Sequence, residues 1–276
     1  EHYRRSATAY WEAGHLRRWA GVKMAESLLW FRENLTDHLN LCQEIIRVSQ
    51  DAADHQAWGW GLFMLATTLD QAGALDEAIA KMQQALDLLK SVPDYQVVVF
   101  ASGILGRCYL RQGNIQQALS VLEEGCQLVR KYRLRGFSCV PVRLHLAQAY
   151  LLSAEQLGEP ARGVAMKKAK QACKIALKQA KFDRAAQIAA YRMQGTQEWL
   201  RGKPGGARQW WQRSLGAADA LGAMYELGLT YLEMGKFLED FGHLEKAESI
   251  FEELQAKFDW AQAQKLLQQY KSQPAH

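Results

Sequence analysis

Residues 224–251 read MYELGLTYLEMGKFLEDFGHLEKAESIF, and the spacing inside this stretch decides the fold. Met224, Leu227, Gly228 and Tyr231 fall at helical intervals in its first half, and Ala247 and Phe251 in its second. A small residue in the middle of each of two helices lets the axes approach closely, and large residues a turn away fill the space that remains. The same grammar occurs four times upstream. Leu105, Gly106 and Tyr109 precede Gly113, Ala118 and Leu122; Leu146, Ala147 and Tyr150 precede Ala169 and Cys173. Leu65, Ala66 and Leu69 precede Gly73, Ala78 and Met82; Gly195 precedes Gly202, Ala207 and Trp211. The second-helix alanines (Ala78, Ala118, Ala169, Ala207, Ala247) are separated by 40, 51, 38 and 40 residues.

Punctuation agrees with this reading. Gly73, Gly113 and Gly202 stand where a first helix must stop, a place that favours a left-handed backbone. Pro93, Pro141, Pro160 and Pro204 fall at junctions or in a first helical turn, where the missing N–H costs nothing. Val97 to Phe100 has strand propensity, but its place at the start of a repeat predicts helix by tertiary override.

This pattern resembles the tetratricopeptide repeat over residues 56–260. The resemblance implies an all-α, right-handed α-solenoid of antiparallel helix pairs, with about six repeats plus a capping helix. Residues 1–55 are expected to be degenerate helical repeats continuous with the rest. There Trp19 to Phe31 and Asp37 to Ala53 form a decayed pair, with Ala25, Leu28, Leu41, Ile45 and Val48 facing inward, and Tyr3 to Ala13 is a leftover second helix. Residues 261–276 are the capping helix and tail. The spacing exceeds the standard repeat of about 34 residues, and the connectors Ser153 to Ala165 and Gly235 to Leu244 read as lengthened. Long periods of this kind are similar to the C-terminal helical repeats of bacterial signalling ATPases of the STAND and AAA type, transcription activators and ATPase–cyclase fusions. A start at Glu1 suggests a fragment of such a protein.

Composition bounds the function. The 276 residues are 49% hydrophobic and 23% charged, as in a soluble globular protein, and no apolar stretch is long enough to span a membrane. Cys42, Cys108, Cys126, Cys139 and Cys173 are odd in number and form no C-x-x-C pair, so the expectation is buried thiols, a reducing cytoplasm and no metal site. No histidines pair at ligand spacing, and the signatures H-E-x-x-H and G-x-S-x-G are absent. Gly202 to Gly206 precedes a helix as a phosphate cradle would, but it occupies the turn slot of every repeat. The chain is therefore expected to be a non-enzyme without a cofactor.

Charge is unevenly spread. Residues 130–181 hold twelve Lys or Arg against Glu155 and Glu159, a net +10 in a chain of +5. Lys167, Lys170, Lys174, Lys178 and Lys181 fall on one side of a single helix. The stripe suits nucleic-acid phosphates, anionic lipid heads or an acidic partner, or is simply a solvated outer face. It holds no aromatic residue for base stacking, which makes nucleic acid an unlikely partner.

The family's concave groove is lined by first-helix residues. Its offsets, carried onto this chain, select Trp60, Phe63, Thr67, Asp70, Phe100, Arg107, Arg111, Gln148, Arg192, Trp199 and Tyr225. The resemblance thus implies a groove rich in aromatics and arginines, with Arg107 and Arg111 forming a fork for a carboxylate or phosphate. The expected partner is a protein, peptide or small ligand, with an ATPase or cyclase domain of the same parent chain as a candidate.

Overall fold

The structure is a computed structural model and describes residues 2–30, 35–181 and 183–271. Fourteen helices and no strands occur among the described residues: α1 (His2–Glu12), α2 (Leu16–Trp30), α3 (Leu35–Asp51), α4 (His55–Ala72), α5 (Leu75–Ser91), α6 (Tyr95–Arg111), α7 (Ile115–Lys131), α8 (Val140–Gln156), α9 (Ala161–Ala180), α10 (Arg184–Leu200), α11 (Pro204–Ala220), α12 (Met224–Leu238), α13 (Phe241–Glu253) and α14 (Lys257–Lys271). A 3-10 turn, Phe137–Cys139, precedes α8. From α2 onward the helices form six successive pairs, with α14 packed on the last. The chain divides into two compact units, Glu1–Val142 and Arg143–His276.

The spacing grammar has a direct structural cause. Ala78, Ala118, Ala169, Ala207 and Ala247 are fully buried, and so, to within 1% exposure, are Met82, Leu122, Cys173, Trp211 and Phe251 one turn later. Each of these large residues whose partner is glycine lies on the spot a Cβ would take. A Cβ on Gly106 would stand 2.4 Å from Leu122, one on Gly195 2.4 Å from the Trp211 indole, and one on Gly228 2.8 Å from the Phe251 ring. The glycines are thus required by close approach, and their helix-propensity cost of about 1 kcal/mol each is offset by packing.

Helix ends follow local chemistry. Asp54, Asp94, Asp183 and Asp240 cap α4, α6, α10 and α13 by accepting hydrogen bonds from backbone N–H groups of the first turn. Gly73 takes φ 83° and turns α4 into α5. Val97 to Phe100 is helical, with Val98 and Val99 fully buried, so burial does override strand propensity there.

Two expectations change. Only Glu239 and Asp240 separate α12 from α13, and 157–160 separate α8 from α9. The long period comes from helices of about five turns, not from the connectors. The 51-residue interval combines the longer approach to α8 through the 3-10 turn, 132–139, with an extra turn of helix at the start of α9. Ile45 and Val48 are buried as expected, Ala25 and Leu41 are half-buried, and the Leu28 side chain, Phe31 and residues 272–276 lie outside the described residues.

Candidate functional site

In the first unit, α4 and α6 bring the expected residues of two repeats side by side, and most are tied to one another. Trp60 Nε1 donates to Asp94 Oδ2 at 2.8 Å, joining α4 to the cap of α6. Thr67 Oγ1 donates back to the Phe63 carbonyl at 2.8 Å. Asp70, placed on the groove surface by the resemblance, is completely buried. Arg107 Nη2 donates to its Oδ2, while Arg111 Nη1 donates to its Oδ1 at 3.0 Å and to its carbonyl at 2.9 Å. Burial pulls the Asp70 carboxyl toward its neutral form, but the two guanidiniums outweigh this and hold its pKa below the usual carboxylate range. The expected arginine fork therefore exists, and the carboxylate it holds is the chain's own.

What this face leaves open is aromatic. Phe63 is buried beneath Phe100, with ring centroids 5.2 Å apart, and Phe100 is half-buried. Phe137, on the 3-10 turn, meets Phe100 edge-on at 5.7 Å and 87° and is 67% exposed. The turn is pinned where Ser138 Oγ donates to Gln96 Oε1 and where Pro141 and Val142 crowd Gly103. Arg107, with 26% of its side chain accessible, is the charged group of this face most open to solvent.

In the second unit the first helices α8, α10 and α12 enclose a small cleft of about 50 Å³. It is lined by Gln148, Leu151, Leu152, Glu155, Arg192, Met193, Thr196 and Glu233. Arg192 Nη1 donates to Glu226 Oε2 at 2.6 Å, Thr196 Oγ1 to Glu233 Oε1 at 2.6 Å, and Lys236 pairs with Glu155 at 2.5 Å. Half-buried Trp199 packs against core Trp211 and against Phe237. Tyr225 donates its hydroxyl to buried Asp259 at 2.9 Å. Gln148 and Arg192 thus line the cleft, whereas Trp199 and Tyr225 serve packing between repeats.

The offsets did not select Phe137, Asp94, Glu155 or Glu226. Phe137 lies on a connector, outside any first-helix register, and only its position after Gly136 and a basic run marked it as an exposed turn. The carboxylates were legible as polar residues near first-helix positions, but pairing across about 34–41 residues needs the stacking geometry. Lys167, Lys170, Lys174, Lys178 and Lys181 are all exposed on one side of α9 or just past its end. Among the described residues, no group of three or more His, Cys, Asp or Glu is arranged to hold a metal, and no helix is long and apolar enough to cross a membrane.

Comparison with known proteins follows the same lines. Residues 62–131 match the family model described as tetratricopeptide repeat. No curated protein sequence matches the chain. Among solved structures, the Rap conjugation gene regulator of the plasmid pLS20, in complex with the Phr* peptide, is similar over 94% of this chain and 77% of its own, at 8% identity and a TM-score of 0.61. RapI in its apo form is similar over 97% and 98%, at 11% identity and 0.58. BtubC from P. vanneervenii is similar over 88% and 94%, at 15% identity and 0.56. Identities this low speak for the fold alone.

Proposed function

We propose that this chain, built of tetratricopeptide-like repeats, is a non-catalytic recognition module that holds an extended peptide or partner segment on its first-helix faces. The observation that carries the reading is the Phe63–Phe100–Phe137 ladder, whose outermost ring is exposed, whose middle ring is half-buried and whose innermost ring is in the core. A rigid aromatic surface loses little entropy on binding and is the usual composition of an interface hot spot. Arg107 stands on the same face with N–H groups to spare, suited to a peptide carbonyl or carboxylate. The cleft in the second unit is sized for the tip of one side chain, not for a small molecule. That a Rap regulator of similar fold is found with a peptide supports the choice of ligand class.

The repeat period supports a setting in a bacterial signalling protein, where occupancy of the face would bias a neighbouring ATPase or cyclase domain. Such coupling requires the ligand to prefer one state of that neighbour. Five cysteines, odd in number and without a C-x-x-C pair, support a cytoplasmic location.

The test is selection of binders from a random peptide display library, followed by calorimetry with Phe137→Ser and Arg107→Ala. The reading expects selected peptides to share an aromatic or large apolar residue. It expects Phe137→Ser to weaken binding by roughly thirtyfold, a hot-spot loss, with the helical circular dichroism unchanged. Peptides that bind both variants as they bind the parent would overturn it.

A further inference from the structure

The second unit carries two oppositely charged helix faces whose charges the fold does not use internally. α9 contains no Asp or Glu. Its inner side is Ala165, Ala169, Ala172, Cys173, Ala176 and Ala180, all buried, and its outer side presents the five lysines. Among the described residues none of those five takes part in an ion pair, so they repel one another along about 21 Å of helix.

α13 is the converse. Leu244, Ala247, Ile250 and Phe251 are buried, and the accessible sides bear Glu245, Glu248, Glu252 and Glu253. Its single lysine, Lys246, lies over the Tyr231 ring at 5.3 Å. Among the described residues, none of the four glutamates is in an ion pair either. Glu245, Glu248 and Glu252 advance by 3 and 4 residues, and the lysines by 3, 4, 4 and 3, so both rows have the same interval of about 5–6 Å.

We propose that the chain associates with itself head to tail, α13 of one copy docking along α9 of the next. The two faces are different surfaces of one protomer, so the contact is heterologous and leaves one face of each kind free at the ends of an open assembly. A second copy fits the observations better than a polyanion does. The α9 face is lysine throughout apart from Arg162, whose Nη2 is drawn to the Leu200 carbonyl at 3.2 Å, so it offers no arginine fork for phosphate. It offers no aromatic ring for a base. A nucleic acid or lipid surface would also leave the α13 glutamates without a counterpart, whereas another copy supplies both signs at once.

Sedimentation velocity on the full chain tests this. At low salt the sedimentation coefficient rises with concentration, and at high salt it returns to that of a monomer, as screened charge pairs require. Two triple variants, Lys170→Glu with Lys174→Glu and Lys178→Glu, and Glu245→Lys with Glu248→Lys and Glu252→Lys, each self-associate roughly a hundredfold more weakly than the parent. Mixed together they associate again, because each then offers the sign the other lacks, an outcome that misfolding cannot imitate. A parent that is monomeric throughout, variants that assemble like the parent, or a mixture that stays monomeric overturns the proposal. So does a monomeric parent that binds short duplex DNA or phosphatidylserine vesicles through the three lysines, which would assign the face to a polyanion. The variants leave the aromatic ladder untouched, so this outcome is independent of peptide binding.

Discussion

Alanine at position 195 adds one methyl group to the middle of α10, and the geometry sets its cost. The new Cβ would lie 2.4 Å from Trp211 Cδ1 and 2.5 Å from Nε1. Trp211 is fully buried and stacked on Phe237 at 6.1 Å, with Trp199 at 5.9 Å, so the indole has no free direction in which to move. Opening the contact to an ordinary separation requires a shift of about 1 Å, and overpacking of this kind costs about 1–3 kcal/mol. The better helix propensity of alanine returns about 1 kcal/mol. Gly195→Ala is therefore expected to destabilise by up to about 2 kcal/mol. The same substitution at Gly216, exposed in α11 with nothing within 4 Å of its Cβ, lacks the clash and should stabilise by about 1 kcal/mol. Urea unfolding followed by far-ultraviolet circular dichroism reads both, with midpoints displaced in opposite directions from the parent. If Gly195→Ala raised the midpoint as Gly216→Ala does, α10 and α11 would not be in close contact at that residue and the spacing grammar would lose its physical cause.

Asp70→Ala should cost about 2–4 kcal/mol, since it removes the buried carboxylate that two partly buried guanidiniums share; an Arg111→Ala background should shrink that loss in a double-mutant cycle. Asp70 has a folded pKa below its unfolded one, so its contribution is fully present above about pH 4 and is lost as pH falls through the lower folded value. Acid unfolding of Asp70→Asn should consequently lack part of the pH dependence seen in the parent below about pH 4. Burial pushes the Cys42, Cys108 and Cys173 thiols up to about 12. A thiol reagent at mildly alkaline pH should therefore modify half-buried Cys126 first, and Cys126→Ser should remove the fast phase; rapid labelling of Cys173 in the folded chain would contradict its burial.

Much of the fold was legible because close packing leaves a periodic mark. Gly106, Gly195 and Gly228 and the large residues opposite them had to be small and large in register, and their order along the chain reports helix pairing before any coordinate is known. The connectors were misjudged because an extra helical turn and a longer loop look alike in spacing, as at Gly235 to Leu244. The site was less legible. A first-helix offset says which residues share a face, but Asp70 is buried and Trp199 is packed half-buried on Trp211 because of residues from neighbouring helices that the offset does not contain. Phe137 escaped because an exposed aromatic in a turn has no period at all.

The central claim is that recognition takes place on the first-helix faces and the ring at the 3-10 turn. Hydroxyl-radical footprinting with a peptide selected by display measures this directly. The account predicts that Phe137, Phe100 and Trp60 become protected on binding while Tyr132 and the outer helices α5 and α7 keep their reactivity. Protection confined to α5, α7 or α9, with Phe137 oxidised as in the free chain, would contradict it.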